Sequence, residues 1–293
     1  MTFLEKLLAA ERQNNSLLCV GLDPEPERLP THLQTLPIER GIVEFCQAII
    51  ASTAPFASVF KPNLAFFEVL GPTGLVALQE ILRAIPAHIP VIADAKRGDI
   101  GNTARNYAAA FFETYGFDAV TVSPYLGHDA VMPFLAYRDR GVLFLCRTSN
   151  PGARDFQDLL VQEVDGMTRP LYEVVARRVQ TWNEAGNCAL VVGATYPQEM
   201  RTVRALCPDL PILVPGIGEQ GGDLEAIVPL AVDIHGERAM VSASRSILYA
   251  DSSAQYAAGA AQMARALRDQ INRARASVDN IRARSSAAAT LPE

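Results

Sequence analysis

Lysine is almost missing from this chain. Of 26 basic residues only Lys6, Lys61 and Lys96 are lysine, and arginine carries the rest. A GC-rich genome accounts for such a ratio but not for where the survivors stand: Lys61 and Lys96 each close an apolar, strand-like run. Arginine cannot release a proton near neutrality, whereas a lysine in a pocket can. Two lysines retained at strand ends therefore point to proton chemistry. A basic excess is missing too. The formal net charge is −6, opposite in sign to a nucleic-acid surface, so no nucleic-acid partner is expected. An anionic small substrate stays open, because a local cluster of donors can bind phosphate inside an acidic protein.

The five cysteines (Cys19, Cys46, Cys146, Cys188 and Cys207) are odd in number, widely spaced and contain no C-x-x-C. That speaks against a metal ribbon or a disulfide framework and for buried thiols in a reducing cytosol. The opening MTFLEKLLAAERQNN has the pattern of an amphipathic helix with charges throughout, and lacks the apolar core of a signal peptide. No stretch is long and apolar enough to span a bilayer. The expectation is a cytoplasmic protein with no membrane partner.

What is present is a rhythm. Short runs rich in Val, Ile and Leu recur at 17–23, 58–63, 90–96, 119–124, 141–148, 188–195, 211–218 and 239–247, each followed by turn residues and a helical pattern. They lack clean alternation, as expected of parallel strands covered on both faces. Eight strands alternating with helices predict an α/β fold, a (β/α)8 TIM barrel in a single domain over residues 1–250, with an open doubly wound sheet as the alternative. The fifth connection, Ser149 to Asn187, is long enough to be an active-site cover or a surface elaboration. A helix over 251–275 and a flexible tail over 276–293 complete the chain. No additional domain is expected.

In a barrel of this kind the catalytic groups sit at the C-terminal strand ends. Those ends carry Asp23; Lys61 and Asn63; Asp94 and Lys96, with Asp99 just beyond; Thr148 and Ser149; the turn PGIGEQGG (215–222); and Arg245. Converging acids and ammoniums at one barrel mouth are not a core pattern. Asp94 and Lys96 lie two apart and so share a strand face, with Lys61 next door. Such a Lys–Asp–Lys set holds its members charged and titrates as a coupled unit. It suits a reaction in which a carboxylate leaves and a carbanion is protonated. The glycine-rich turn offers backbone N–H groups to an anion, and Arg245 offers a planar double donor for phosphate. His128 and Asp129 adjoin without a serine nucleophile motif, so ordinary hydrogen bonding is expected of them. Arg97 points away from Lys96 by alternation, toward a structural ion pair.

The stretch VIADAKRGDIGNTA (91–104) resembles the D-x-K-x-x-D-[IV]-x-x-T signature of the orotidine 5′-monophosphate decarboxylases, with VGLD, FKPN, TSNPGA and PGIGEQGG in order around it as in the longer branch of that family. The resemblance covers about Leu17 to Tyr249. It implies conversion of orotidine 5′-monophosphate to uridine 5′-monophosphate and CO2, the last step of de novo UMP synthesis, with no metal and no organic cofactor. It implies that Asp23 and Lys61 meet the ribose, that Asp94 faces the substrate carboxylate, and that Lys96 protonates C6. It further implies that Ser149 binds the pyrimidine, that Gln220 and Arg245 hold the phosphate, and that a homodimer lets Asp99 and Thr103 reach the partner's site. Three readings compete. A metal-dependent sugar-phosphate decarboxylase or aldolase of the same superfamily would carry an acid where Lys61 stands. A Schiff-base aldolase would need an unprotonated lysine, which flanking acids oppose. A non-catalytic nucleotide-binding protein would have lost a chemical residue.

Overall fold

All eight Val/Ile/Leu runs become strands in the computed structural model, which describes residues 1–217 and 223–288 and side chains through residue 276. They are β1 (Leu18–Leu22), β2 (Val59–Pro62), β3 (Ile92–Arg97), β4 (Ala119–Val122), β5 (Gly141–Arg147), β8 (Cys188–Val192), β9 (Ile212–Val214) and β10 (Ala239–Ala243). The two short strands between them, β6 (Leu160–Gln162) and β7 (Thr168–Pro170), form a separate antiparallel hairpin. The large sheet is parallel in the order β2-β1-β10-β9-β8-β5-β4-β3. Its ends meet: parallel bridges join Phe60 to Val91 and Asn63 to Asp94, and Phe60 N–H donates to the Pro90 carbonyl at 3.1 Å. The sheet is therefore closed, and the open-sheet alternative falls.

Two apolar layers explain why the runs lack alternation. Outward-facing side chains such as Leu18, Phe60, Val120 and Phe144 pack under the surrounding helices. Inward-facing ones, Cys19, Val59, Ile92, Ala119, Leu143, Ala189, Leu213 and Met240, fill the barrel's lower half together with Phe3 and Leu7. Those two come from the helix Phe3–Gln13, started by a capping box in which Thr2 and Glu5 exchange hydrogen bonds. The helix seals the N-terminal mouth. Gly141 makes room for it, since a β-carbon there would lie 2.4 Å from the Phe3 ring.

The fifth connection holds a 3₁₀ turn (Pro151–Asp155), the β6–β7 hairpin and the helix Leu171–Trp182. The helix expected over 251–275 runs Tyr256–Ala288, so its backbone continues into the segment read as a tail; residues 289–293 lie outside the described residues. Ala260, Ala264 and Ile271 are buried on its inner side. Among the described residues no helix is long and apolar enough to cross a membrane.

Candidate active site

The inward-facing row changes character as it climbs. Two residues above Val59 stands Lys61; above Ile92, Asp94; above Ala119, Thr121; above Met240, Ser242. The period of two that fills the lower barrel with apolar side chains thus lines its upper half with polar ones. On β1 the same row passes through Gly21 to Asp23, and a β-carbon on Gly21 would lie 2.7 Å from the Ser244 β-carbon. Glycine permits that close approach of the two loops.

At the centre Asp94 is held from two sides. Lys61 Nζ lies 2.8 Å from Oδ2 and Lys96 Nζ lies 2.5 Å from Oδ1. Burial alone would raise the Asp94 carboxyl; the two ammonium groups outweigh it and hold the acid well below the ordinary carboxylate range. Burial would likewise lower Lys61, but Asp94, with help from Asp23, overcomes it and keeps that lysine protonated beyond the ordinary range. The lysines differ in exposure: the Lys61 side chain is 7% exposed and that of Lys96 50%.

Asp94 and Lys96 meet as expected, but not by regular alternation. The register of β3 against β4 shifts between Ala93 and Arg97, and Lys96 adopts φ +48°. Thr121, buried on β4, holds this bulge: its hydroxyl accepts the N–H groups of Ala95 at 3.0 Å and Lys96 at 2.9 Å. Arg97 turns outward, donating to the Ala95 carbonyl at 3.0 Å and pairing with Glu68, the structural ion pair expected of it.

Beside this cluster, Asp23, Lys61, Gly216, Ser242, Ser244 and Arg245 line one cavity. Arg245 opens a short helix rather than closing β10. Asp23 Oδ1 and Ser244 Oγ are buried without a hydrogen-bond partner among the described residues. Buried polar atoms are normally paired, and these two oxygens face the same cavity as Lys61 and Arg245. Gln220 lies outside the described residues. Ser149 lines a second cavity with Pro151, Arg154, Thr195 and Tyr196.

Asp99 and Thr103 stand apart. Thr103 is exposed and Asp99 half-buried, and Asp99 accepts only the N–H of Ile100, at 2.8 Å, among the bonds described; neither lines the Asp23–Arg245 cavity. His128 stacks on Trp182 with ring centroids 5.2 Å apart, packing where hydrogen bonding was expected. Sequence reasoning missed Thr121, Arg147 and Gln157. Thr121 carried a usable signal, being two residues above the inward-facing Ala119. Arg147 is fully buried, and nothing local marks a strand-end arginine for burial.

Residues 16–260 match the orotidine 5′-phosphate decarboxylase / HUMPS family. The chain belongs to this family. It is 53% identical over 279 residues to an orotidine 5′-phosphate decarboxylase of Thermomicrobium roseum, covering 95% of this chain and 98% of the relative. Among solved structures it is similar to the Leishmania donovani OMP decarboxylase, with TM-score 0.81, 40% identity and coverage of 94% of this chain and 99% of that one. The Leishmania donovani UMP synthase gives TM-score 0.81 and 41% identity over 93% of this chain and 57% of that longer one. Within the family, the sugar-phosphate reading asks for an acid free to bind a cation at the end of β2. Here β2 presents Lys61, and both Asp94 oxygens are taken by ammonium groups.

Proposed function

We propose that this chain is a carboxy-lyase that converts orotidine 5′-monophosphate to uridine 5′-monophosphate and CO2 in pyrimidine biosynthesis, with Lys96 as proton donor. The observation that carries the reading is the Asp94 carboxylate clamped ionised between Lys61 and Lys96. A substrate carboxylate set against Asp94 meets a like charge that stays charged. As the bond from C6 to the carboxylate breaks, the electron pair remains on C6, CO2 departs, and the repulsion disappears while an anion develops beside Lys96. Only interactions that differ between ground and transition state accelerate the step, and both changes act in the same direction. Lys96 rather than Lys61 gives up its proton to C6, because its half-exposed ammonium can turn to substrate while Lys61 is enclosed.

The remaining roles are those the family resemblance implies, and the cavity shared by Asp23, Lys61 and Arg245 supports three of them. Asp23 and Lys61 take the ribose hydroxyls, Arg245 and Gln220 the phosphate, and Ser149 the pyrimidine. Phosphate binding, remote from C6, supplies energy for assembling the site. Asp99, half-buried, and Thr103, exposed, both outside their own chain's cavity, reach the site of a second copy in a homodimer. Exposed Ile100 and Met132 beside them give that face an apolar component. Mixing Lys96→Ala with Asp99→Ala subunits would restore turnover if the site is shared between copies; no restoration after subunit exchange would overturn that arrangement. Five free, buried cysteines accord with work in a reducing cytosol.

The test is the fall in ultraviolet absorbance of orotidine 5′-monophosphate with excess EDTA, for the wild type and Lys96→Ala. Turnover by the wild type that drops about 10²–10⁴-fold or more in the variant is expected. Absence of turnover by folded wild type, with activity on a sugar phosphate restored by Mg2+, would overturn the reading. So would borohydride trapping of a lysine adduct.

A further inference from the structure

The long fifth connection folds back onto the strand it leaves. Gln157, in its first half, reaches the end of β5 with both ends of its amide. Its Oε1 accepts the Thr148 N–H at 2.8 Å, and its Nε2 donates to the Thr148 hydroxyl at 2.9 Å. That hydroxyl in turn donates to Asn150 Oδ1 at 2.7 Å. Gln157 is itself tied down: its carbonyl accepts the Tyr172 N–H at 3.0 Å, where the following helix begins.

Beneath it lies Arg147, fully buried at the last position of β5. Its guanidinium donates to Gln157 Oε1 at 3.3 Å, pairs with Asp158 at 3.2 Å and sits 3.7 Å above the Tyr196 ring. A buried arginine carries a large desolvation cost unless so paired, so the charge fixes Gln157, Asp158 and Tyr196 around itself. Between these anchors runs Ser149. Its other side is pressed against Gly193, where a β-carbon would come within 2.8 Å of the serine, and Gly193 N–H donates to the Arg147 carbonyl at 2.7 Å.

We infer that Gln157, anchored by Arg147, is a positioning residue for the base-reading segment Thr148–Ser149, so that the fifth connection sets affinity for the pyrimidine and not for the phosphate. This rests on the reading of the previous section that Ser149 meets the base. Gln157 touches no substrate atom in that reading. It fixes the backbone that carries Ser149, on the side of the site away from Arg245.

The experiment compares two ligands on the full-length chain, uridine 5′-monophosphate and ribose 5-phosphate, the second lacking the base, by equilibrium titration. Gln157→Leu is expected to weaken the nucleotide about tenfold, the scale of one or two lost neutral hydrogen bonds, and to leave ribose 5-phosphate within about twofold. Gln157→Glu keeps the acceptor for Thr148 N–H and Arg147 and loses the donor to the Thr148 hydroxyl; it falls between, and it carries the comparison if the leucine variant does not fold. Equal weakening of both ligands, or unchanged binding of both, would overturn the inference. The earlier reading fails separately, and takes this one with it, if the wild type holds the nucleotide no more tightly than ribose 5-phosphate.

Discussion

The hydroxyl of Thr121 accepts the backbone N–H of Lys96 at 2.9 Å from the neighbouring strand. A lysine at φ +48° is in a region that costs of order 1–3 kcal/mol for a residue with a side chain. The strand tolerates it because Thr121 also takes the Ala95 N–H and lies 3.2 Å from Asp94 Oδ1. One buried oxygen thus sets the height of Lys96, the proposed proton donor, and one face of its counter-charge.

Thr121→Val keeps the shape and removes that oxygen. Two part-buried N–H groups lose a shared acceptor, together about 1–3 kcal/mol. Urea unfolding should show a loss in that range, and the turnover number should fall with it. Thr121→Ser, which retains the oxygen, should keep most of both. Full activity in the valine variant would refute the positioning argument.

Asp94→Asn and Lys96→Ala should separate stability from chemistry. The asparagine leaves Lys61 buried without its counter-charge, a loss on the order of 3–5 kcal/mol. Lys96 is half exposed, and its removal should change stability by about 1 kcal/mol or less while turnover collapses. The Asp94 carboxyl is lower in the native state than in the unfolded chain, so its contribution is present above the unfolded value and is lost as pH falls through the folded one. The stability gap between wild type and Asp94→Asn should therefore shrink below about pH 4. A gap independent of pH down to that range and beyond would contradict the ion-pair assignment.

Glu11 should give the opposite slope. It is buried at the far end of the barrel, accepts the Arg238 N–H at 3.1 Å through Oε2 and has no partner on Oε1 among the described residues. Burial, with Glu237 and Asp233 nearby, raises it from 4.5 to about 8. Between these values the native state holds a proton that the unfolded chain has released. Stability then falls as pH rises through the window, having been fully present below it. Glu11→Gln should flatten that decline in thermal unfolding followed from pH 5 to 9, and an unchanged slope would place the proton elsewhere.

Leu7→Ala should cost about 2–5 kcal/mol by opening a cavity in the lower barrel. Leu7 is fully buried there, at the end opposite Asp94. Chemical denaturation should register the loss, and kcat/KM should not.

Much of this was legible before any coordinates. The barrel strands announce themselves because residues buried on both faces are apolar without alternation, and the residues at or just past the ends of those runs include Asp23, Lys61, Asp94 and Arg245, which the structure brings to one end of the barrel. The reasoning that joined Asp94 to Lys96 reached the right pair through a regular strand that β3 is not; a bulge held by a threonine 25 residues away leaves no local mark. The β6–β7 hairpin was invisible for a related reason. Its three-residue strands, LVQ and TRP, are exposed or half-buried throughout and bury no face that would impose a period. Arg147 and Gln157 are defined by one another and by Tyr196, contacts made across the barrel's rim and not along the chain.

The helix Phe3–Gln13 turns the barrel into a cup. With Phe3 and Leu7 filling the bottom, the lower axis is packed with apolar side chains among the described residues, and the polar mouth around Asp94 lies at the other end. If the chain works as proposed, the small product and the larger one share that mouth, and the order in which they leave becomes a matter of which one blocks the other.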